Sequence, residues 1–532
     1  MSKHVFKMRF DQMPVTIEIG GLATQTDGSV LIRYGDTVVL STVINGEETG
    51  QGEALSLEVQ YRLSSLVTPE LGVDAAVNEI QPKLAAHRIK QILEPLLPKK
   101  ANQDIQITNT VLSYDADCAP FLAALLGSAL ALGISDIPFL GPIASVAVAQ
   151  LDDNTVILNP TSIQRQQAEM YALVAGTDQG LSFVNATGKS MSEKTLSQGL
   201  MFALDEIRRI NKFQAKIIAT IGKSKLEFKK TAIADTLKSE IFKLYRKQML
   251  ATLTTTNSAT RAAKIKTIKT SALNYFKTSM RVETNTQALV LKYLAELEQA
   301  MTRQLLLDKN IRVAGRALDA LRPLSVQLNM LSTATGSSLL QQGKTQILAA
   351  LRSAKIKSND VKAAIQINTH FLPIRGESND DFQVTQQIDW LDHQYIRNAL
   401  TQVWLPQADH LQRLNLDLEI LDRDGSILSA STNAAMLALL ATGALVDSAV
   451  VSVTMGLVQH QGKIVVLTDI SNLEQRFSES RLEIAGTKQA LTAFQMIGQP
   501  IVMAQPELTK VIMQARQAQL ALLELVKQAI SI

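Results

Sequence analysis

Apolar and polar residues alternate with a period of two in several stretches near the start of the chain, and this alternation predicts β-strands. Val5–Phe10 and Val15–Gly20 form a predicted hairpin, and Ile105–Tyr114 is a further predicted strand. Apolar residues recur instead at helical spacing in Pro82–Pro98 and Ala119–Ile134. Strands that alternate with helices in this order indicate an α/β domain.

The same order of segments returns near the end of the chain. Lys463–Gly498 reads as a strand, a charged crossing, a second strand and the start of an amphipathic segment. Thr155–Phe183 has a similar order, and its AGTDQGLSFV corresponds to AGTKQALTAF of the later stretch. The interval from Gly35 to Gly176 also nearly equals that from Gly343 to Gly486. A repeat at this distance indicates two copies of one domain, because solenoid repeats recur within tens of residues.

The chain between the two copies has a different pattern. Glycine nearly vanishes there, and Leu, Ala, Ile and Lys recur at helical spacing, which predicts an all-helical insert. We therefore predict a first domain over residues 1–200, a helical linker domain over 201–310 and a second copy over 311–532. The basic residues of the insert indicate either a solvated helix face or a nucleic-acid surface, and few aromatic residues interleave with them to stack on bases.

Composition narrows the class of protein only mildly. The hydrophobic fraction of 46% and the charged fraction of 19% are those of a folded globular chain. A net charge of +4 permits nucleic acid without requiring it. No apolar run reaches the roughly 18–20 residues of a membrane span, so we expect no membrane association. The single cysteine, Cys118, permits no internal disulfide and fits a reducing compartment such as the cytoplasm.

Motifs in both copies resemble a known family. The first copy contains GDTVVLSTV, ISDIPFLGPIASVAV, VILNPT and LVAGT, and the second contains GRALDALRPLSVQ, TGSSLLQQGKTQILAAL, VVLTDI and IAGTKQALTAFQM. In this order they resemble the core of the polyribonucleotide nucleotidyltransferase (polynucleotide phosphorylase) family, which has two RNase PH-type domains of the ribosomal protein S5 domain 2-like fold. The resemblance implies a trimeric, phosphorolytic 3′-to-5′ exoribonuclease that uses Mg²⁺ or Mn²⁺ held by second-copy carboxylates.

The charged crossing between the two predicted strands of the second copy departs from the family pattern at the positions where metal binding is expected. It reads LTDISNLEQRFSESRLEIAG, and Asp469 keeps a family aspartate. The two positions that the resemblance assigns to metal-binding aspartates hold Gln475 and Arg481, and the family lysine position holds Glu483. A guanidinium group cannot coordinate a metal, and its charge repels one.

Other family sites are altered as well. Of the phosphate-binding serine run only Ser426 keeps a hydroxyl within the triplet, and Asp424 adds a negative charge beside it. His393 is retained, but Ile388 and Asp389 occupy the positions of two family arginines. The loop that grips RNA in the family aligns with residues 71–78, LGVDAAVN, which contain no arginine.

The remaining candidate site residues follow from this comparison. His393 and Asp469 are the position-matched catalytic candidates, and Ser426, Lys344 and Arg397 are candidates for phosphate or RNA contact. Asp469 with Glu474 and Glu479 could form a relocated site for Mg²⁺ or Mn²⁺, since carboxylates suit these ions. The alternative interpretation of Glu474 and Glu479 is an exposed acidic turn beside Arg476 and Arg481.

Three functions remain open. The coordinated substitutions favour a catalytically degenerate, ring-forming core that serves as a scaffold, as an RNA-associated subunit, or as the partner of an active paralogue or RNA-degrading assembly. The alternatives are an active, divergent phosphorolytic exoribonuclease that releases nucleoside diphosphates, and an RNA-binding module based on the helical insert. The family usually continues into KH and S1 domains, which would begin where this sequence ends at Ile532.

Overall fold

The computed structural model describes most of the chain, with short gaps. The described residues are 3–10, 13–46, 56–64, 67, 82–98, 104–152, 155–226, 232–255, 257–279, 284–313, 315–355, 364–371, 389–404, 412–443, 446 and 448–530. The predicted turn at residues 11–12 and the loop at 71–78 lie outside them. None of the described helices is long and apolar enough to cross a membrane.

The first copy begins with a six-stranded sheet in the order β1-β2-β3-β4-β6-β5, in which only β5 and β6 are parallel. Helix α1 packs on β5 and helix α2 packs on β3 and β4. Its strands and helices are β1 (His4–Phe10), β2 (Met13–Ile19), β3 (Gly28–Tyr34), β4 (Thr37–Asn45), β5 (Ser56–Leu63), α1 (Pro82–Leu93), β6 (Asp104–Ser113) and α2 (Pro120–Ile134). Helix α2 is apolar all round and almost wholly buried, as its sequence requires.

The second copy repeats this arrangement with five strands in the order β11-β12-β13-β15-β14, of which only β14 and β15 are parallel. Its elements are β11 (Leu324–Leu328), β12 (Gly336–Gln342), β13 (Thr345–Lys355), β14 (Ala364–Phe371), α8 (Asp389–Thr401), β15 (Gln412–Asp422) and α9 (Ile427–Ala441). The turns at Gly35 and Gly343 have positive φ values of 55° and 63°. This conformation favours glycine, and it recurs at corresponding turns of the two copies.

One eight-stranded sheet joins the copies, in the order β17-β16-β18-β19-β10-β9-β7-β8. The antiparallel pairing of β10 with β19 forms the seam and places Asn185 opposite Gln495. Helices α4 and α11 pack together and cover this sheet. Its elements are β7 (Ala144–Gln150), β8 (Val156–Leu158), α3 (Ser162–Gln167), β9 (Met170–Thr177), β10 (Gly180–Met191), α4 (Glu193–Ile221), β16 (Val451–His460), β17 (Lys463–Thr468), α10 (Asn472–Phe477), β18 (Ser480–Gly486), β19 (Leu491–Ile501) and α11 (Gln505–Ile530).

The helical insert contains α5 (Ala232–Leu253), α6 (Ser258–Ser279) and α7 (Thr284–Lys309), which share a separate apolar core. Helix α4, in contrast, buries apolar residues from Leu196 to Ile217 in the core of the first copy. The predicted boundary between residues 200 and 201 therefore falls inside a helix that packs on the first copy.

The duplicated α/β fold with a helical region between the copies is confirmed. One local prediction is wrong. The segment after Gly486 is not an amphipathic segment of its own but strand β19, whose residues Leu491 to Met496 are all buried at the seam. The charged crossing contains a short helix, α10, and its first-copy counterpart contains α3. Six residues are too few for a periodic pattern to stand out.

Candidate functional site

The candidate site lies in the crossing between β17 and β18. Strand β17 ends at Thr468, and Asp469 follows in the left-handed region with a φ of 51°. Ser471 caps α10: its hydroxyl accepts a hydrogen bond from Glu474 N, and the Glu474 carboxylate accepts one from Ser471 N. This capping box turns the Glu474 side chain back toward the start of the helix.

Glu474 forms a buried ion pair with Arg312. The Nε and Nη2 atoms of Arg312 donate to the two carboxylate oxygens at 2.7 and 2.8 Å, and the side chains are only 0% and 2% exposed. Arg316 Nη2 adds a contact of 3.1 Å. Burial alone would raise the pKa of Glu474, but the hydrogen bonds and charge of Arg312, with the charge of Arg316, lower it on balance. Glu474 is therefore an ionised and fully engaged carboxylate.

Asp469 is held in the same way by Arg322. Arg322 N donates to Oδ2 at 2.7 Å, and its Nε and Nη2 donate to Oδ1 at 2.9 and 2.7 Å. The Asp469 side chain is 0% exposed. Burial tends to raise the pKa of Asp469, and the charge and hydrogen bonds of Arg322 outweigh it, so that the pKa is lowered.

Glu479, the third predicted metal ligand, pairs with Arg303 of α7 at 2.6 Å, and its other oxygen accepts from Gln459 N at 2.9 Å. The prediction of an exposed acidic turn is wrong for Glu474, which is buried, and for Glu479, which is only partly exposed. The reason is that their arginine partners come from α7 and the segment after it, more than a hundred residues earlier, and not from the neighbouring Arg476 or Arg481.

The donor set of this crossing does not fit Mg²⁺ or Mn²⁺. Such an ion needs several oxygen ligands with lone pairs to spare, whereas arginines hold Asp469, Glu474 and Glu479. Among the residues that the structure describes, no group of three or more His, Cys, Asp or Glu could hold a metal. Arg481, at a position that the resemblance assigns to an aspartate, lies 3.2 Å from Glu483 through its Nε.

Glu483 ends a buried chain of hydrogen bonds. Thr454 Oγ1 donates to Glu483 Oε2 at 2.6 Å, and the hydroxyls of Ser429 and Thr454 are 2.7 Å apart. Glu483 is 1% exposed. A buried carboxyl group therefore occupies the place that the resemblance gives to a lysine, and it supplies no positive charge to an incoming phosphate.

Ser426 and Lys344, two of the predicted anion contacts, have different surroundings. Ser426 is 1% exposed, has a φ of 52°, and donates its hydroxyl hydrogen bond to Ile470 O at 2.9 Å. Its hydroxyl thus fixes the start of the crossing to the start of α9. Lys344 lies exposed on the turn between β12 and β13.

His393 and Arg397 lie one turn apart on α8 and are half-buried. Burial, with the charge of Arg397, lowers the pKa of His393 to about 4. The imidazole is therefore neutral near pH 7 and brings no positive charge to an anion. The family arginine position at residue 388 lies outside the described residues, as does the loop at 71–78.

Sequence reasoning missed the four arginines that organise this region: Arg303, Arg312, Arg316 and Arg322. Two of them, Arg316 and Arg322, belong to the GRALDALRPL motif, but nothing local in that motif identifies an acidic partner about 150 residues away. The available signal is the combination of four arginines within residues 303–322 with three acidic residues in the crossing.

Comparison with known proteins agrees with this architecture. The family described as 3′ exoribonuclease family, domain 1, matches residues 12–138 and again 320–444. The family described as polyribonucleotide nucleotidyltransferase, RNA binding domain, matches residues 236–317. The polyribonucleotide nucleotidyltransferase of Enterococcus faecalis is 32% identical, over 98% of this chain and 76% of the relative. That of Listeria welshimeri is 31% identical, over 99% and 75%.

Proposed function

The chain belongs to the polyribonucleotide nucleotidyltransferase family, and we propose that it is a member that does not catalyse phosphorolysis. The observation that carries this proposal is the pairing of Asp469, Glu474 and Glu479 with arginines. A divalent cation would have to displace these arginines, and a buried arginine left unpaired is costly. No alternative set of metal ligands is provided by Gln475, Arg481 and Glu483.

In this proposal the chain acts as a ring-forming scaffold or RNA-associated subunit in the cytoplasm. The interior of both copies and of the insert is well packed with apolar side chains, which supports an intact structural role. The match of the insert to an RNA binding domain supports association with RNA. A homotrimer, alone or together with an active paralogue in an RNA-degrading assembly, is the arrangement that family membership favours.

The test is a phosphorolysis assay on the purified, folded full chain. The protein is incubated with oligoadenylate, phosphate and Mg²⁺ or Mn²⁺, and ADP is detected; the Enterococcus faecalis relative serves as the positive control. A reaction without phosphate identifies contaminating hydrolytic nucleases. We expect no phosphate-dependent ADP from this chain, and sustained release of ADP would refute the proposal.

The second candidate, an active divergent phosphorolytic enzyme, is favoured only by similarity over nearly the whole chain. It needs Asp469 with Glu474 or Glu479 to bind Mg²⁺ or Mn²⁺. If ADP is released, Asp469→Asn and Glu479→Gln test whether these carboxylates bind the metal ion. Loss of ADP release in these variants, with folding retained, would support the active enzyme; unchanged release would place the activity elsewhere.

A further inference from the structure

Helix α6 of the insert differs from the other long helices in its charge. Among the five described helices of more than twenty residues, the other four each carry at least two acidic residues, and α6 carries none. Its basic residues are Arg261, Lys264, Lys266, Lys269 and Lys277. A basic helix without acidic residues has no ion pairs within the helix to neutralise its charge. Its positive electrostatic field therefore extends into solvent.

Packing fixes which side of α6 faces outward. Ile268, Ala272 and Phe276, each four residues apart, are buried at 0–1% exposure against α5 and α7. A stripe of this spacing covers one narrow side of a helix. Much of the remaining surface is exposed. It carries Lys264, Lys266 and Lys277, together with hydroxyl and amide side chains at Thr267, Thr270, Ser271 and Asn274.

The ammonium groups of these exposed lysines form few interactions with other described residues. Lys264 Nζ contacts Thr255 Oγ1 at 3.2 Å, a neutral partner. Lys266 and Lys277 form no ion pair with a described residue, and eleven residues of helix place them about 16 Å apart along the axis. The hydroxyls of Thr270 and Thr278 donate to carbonyls of the preceding turn, which leaves the ammonium groups as the main donors.

We propose that the exposed surface of α6, which carries Lys264 on one edge and Lys266 and Lys277 on the opposite edge, binds the phosphodiester backbone of single-stranded RNA without regard to sequence. Charge complementarity requires a polyanion. A membrane surface fits poorly, because Tyr275 is the one large hydrophobic side chain of α6 that is exposed, and interfacial helices need an apolar face. The inference rests on the RNA association in the proposed function and assigns it to particular residues.

The experiment measures binding of a labelled oligoadenylate of about 16 nucleotides to the full chain by fluorescence anisotropy, from about 50 to 200 mM salt. The test variant is Lys264→Glu/Lys266→Glu/Lys277→Glu. The matched control is Lys194→Glu/Lys212→Glu/Lys216→Glu, which makes the same change in net charge at exposed lysines of α4. Circular dichroism and thermal melting establish that both variants are folded.

We expect the α6 variant to bind at least about tenfold more weakly at 0.1 M salt and to lose about 2 from the slope of log K against log salt, because each lysine contact with a single strand contributes about 0.7. The control should bind within about twofold of wild type, since its lysines lie off the exposed surface of α6. Equal losses in both variants would overturn the proposal in favour of a general charge effect. Equal affinity for polyglutamate would overturn it in favour of an acidic protein partner.

Two further outcomes separate this inference from the proposed function. If the wild type binds RNA and neither variant weakens it, the α6 assignment fails while RNA association stands. If the wild type does not bind RNA even at low salt, the RNA association itself fails, and the α6 assignment fails with it. The phosphorolysis assay is independent of both results.

Discussion

The two crossings of the duplicated fold, β8–α3–β9 and β17–α10–β18, share a backbone and differ in charge. Thr161 and Gln164 form a capping box on α3, as Ser471 and Glu474 do on α10. Asn159, with a φ of 46°, corresponds to Asp469, with a φ of 51°. Asn159 and Gln164 of the first copy are neutral and partly exposed, whereas the corresponding Asp469 and Glu474 are ionised, buried and paired with arginines.

The order of the chain explains this difference. Arg312, Arg316 and Arg322 lie on the segment that leads from α7 into β11. The corresponding position in the first copy lies at the start of β2, within the N-terminal hairpin. Gly35 N donates to Pro14 O as Gly343 N donates to Pro323 O, so Met13 stands where Arg322 stands. The two copies share the local geometry of the crossing, and α7 with the segment that follows it supplies the arginines of the second crossing.

The largest expected effect comes from giving the second crossing the neutral residue of the first. Glu474→Gln keeps the size of the side chain and leaves Arg312 buried without its counter-ion, so we expect a loss of about 3–5 kcal/mol in the free energy of unfolding. Urea denaturation measures it. The reciprocal change in the first copy, Gln164→Glu, should stay within about 0.5 kcal/mol. Similar values for the two variants would remove the contrast between the crossings.

Asp469→Asn, which installs the first-copy residue, should cost less, about 2 kcal/mol. Arg322 keeps its hydrogen bonds to the carbonyls of Asp424 and Gly425, and an asparagine oxygen can still accept from Arg322 N. Thermal unfolding of this variant and of Glu474→Gln shows which of the two substitutions destabilises the fold more. A larger loss for Asp469→Asn would make Asp469, and not Glu474, the centre of the network.

The difference in charge between the two crossings also predicts that the free energy of unfolding depends on pH. Because the folded-state pKa values of Asp469 and Glu474 are lowered, their pairing stabilises the fold above the unfolded values near 4 and is lost as pH falls through the folded values. The free energy of unfolding should therefore decline on acidification below about pH 5, and less steeply in Glu474→Gln. Parallel curves for wild type and variant would show that Glu474 is not ionised in the folded protein.

The smallest loss of stability is expected for a change in the first crossing. Thr161→Ala removes the hydroxyl that accepts from Gln164 N at 3.3 Å, and loss of such a cap costs about 1 kcal/mol. Chemical denaturation should resolve it against Gln166→Ala, a change at an exposed residue of the same helix, as a control. A loss that equals that of Glu474→Gln would mean that the neutral crossing is as important to stability as the ionic one.

The sequence predicted those parts of the fold that arise from local patterns. The period of the apolar residues placed Pro82–Pro98 and Ala119–Ile134 in helices, and the repeat of AGTKQALTAF established the duplication. The ion pairs cannot be predicted from the sequence, because Arg312 and Glu474 are 162 positions apart and only the folded chain brings them together. For the same reason the sequence alone suggests a metal ligand or an exposed turn at Glu474, whose side chain is buried and paired with Arg312.

We propose that arginines hold the carboxylates of the second crossing and leave them unavailable to a cation. Titration of the full chain with Mn²⁺, followed by the electron paramagnetic resonance signal of free Mn²⁺, tests it directly. We predict that the free signal rises in proportion to added Mn²⁺, with no saturable site. A site that binds one Mn²⁺ per chain, is displaced by Mg²⁺ and is lost in Asp469→Asn would contradict the account.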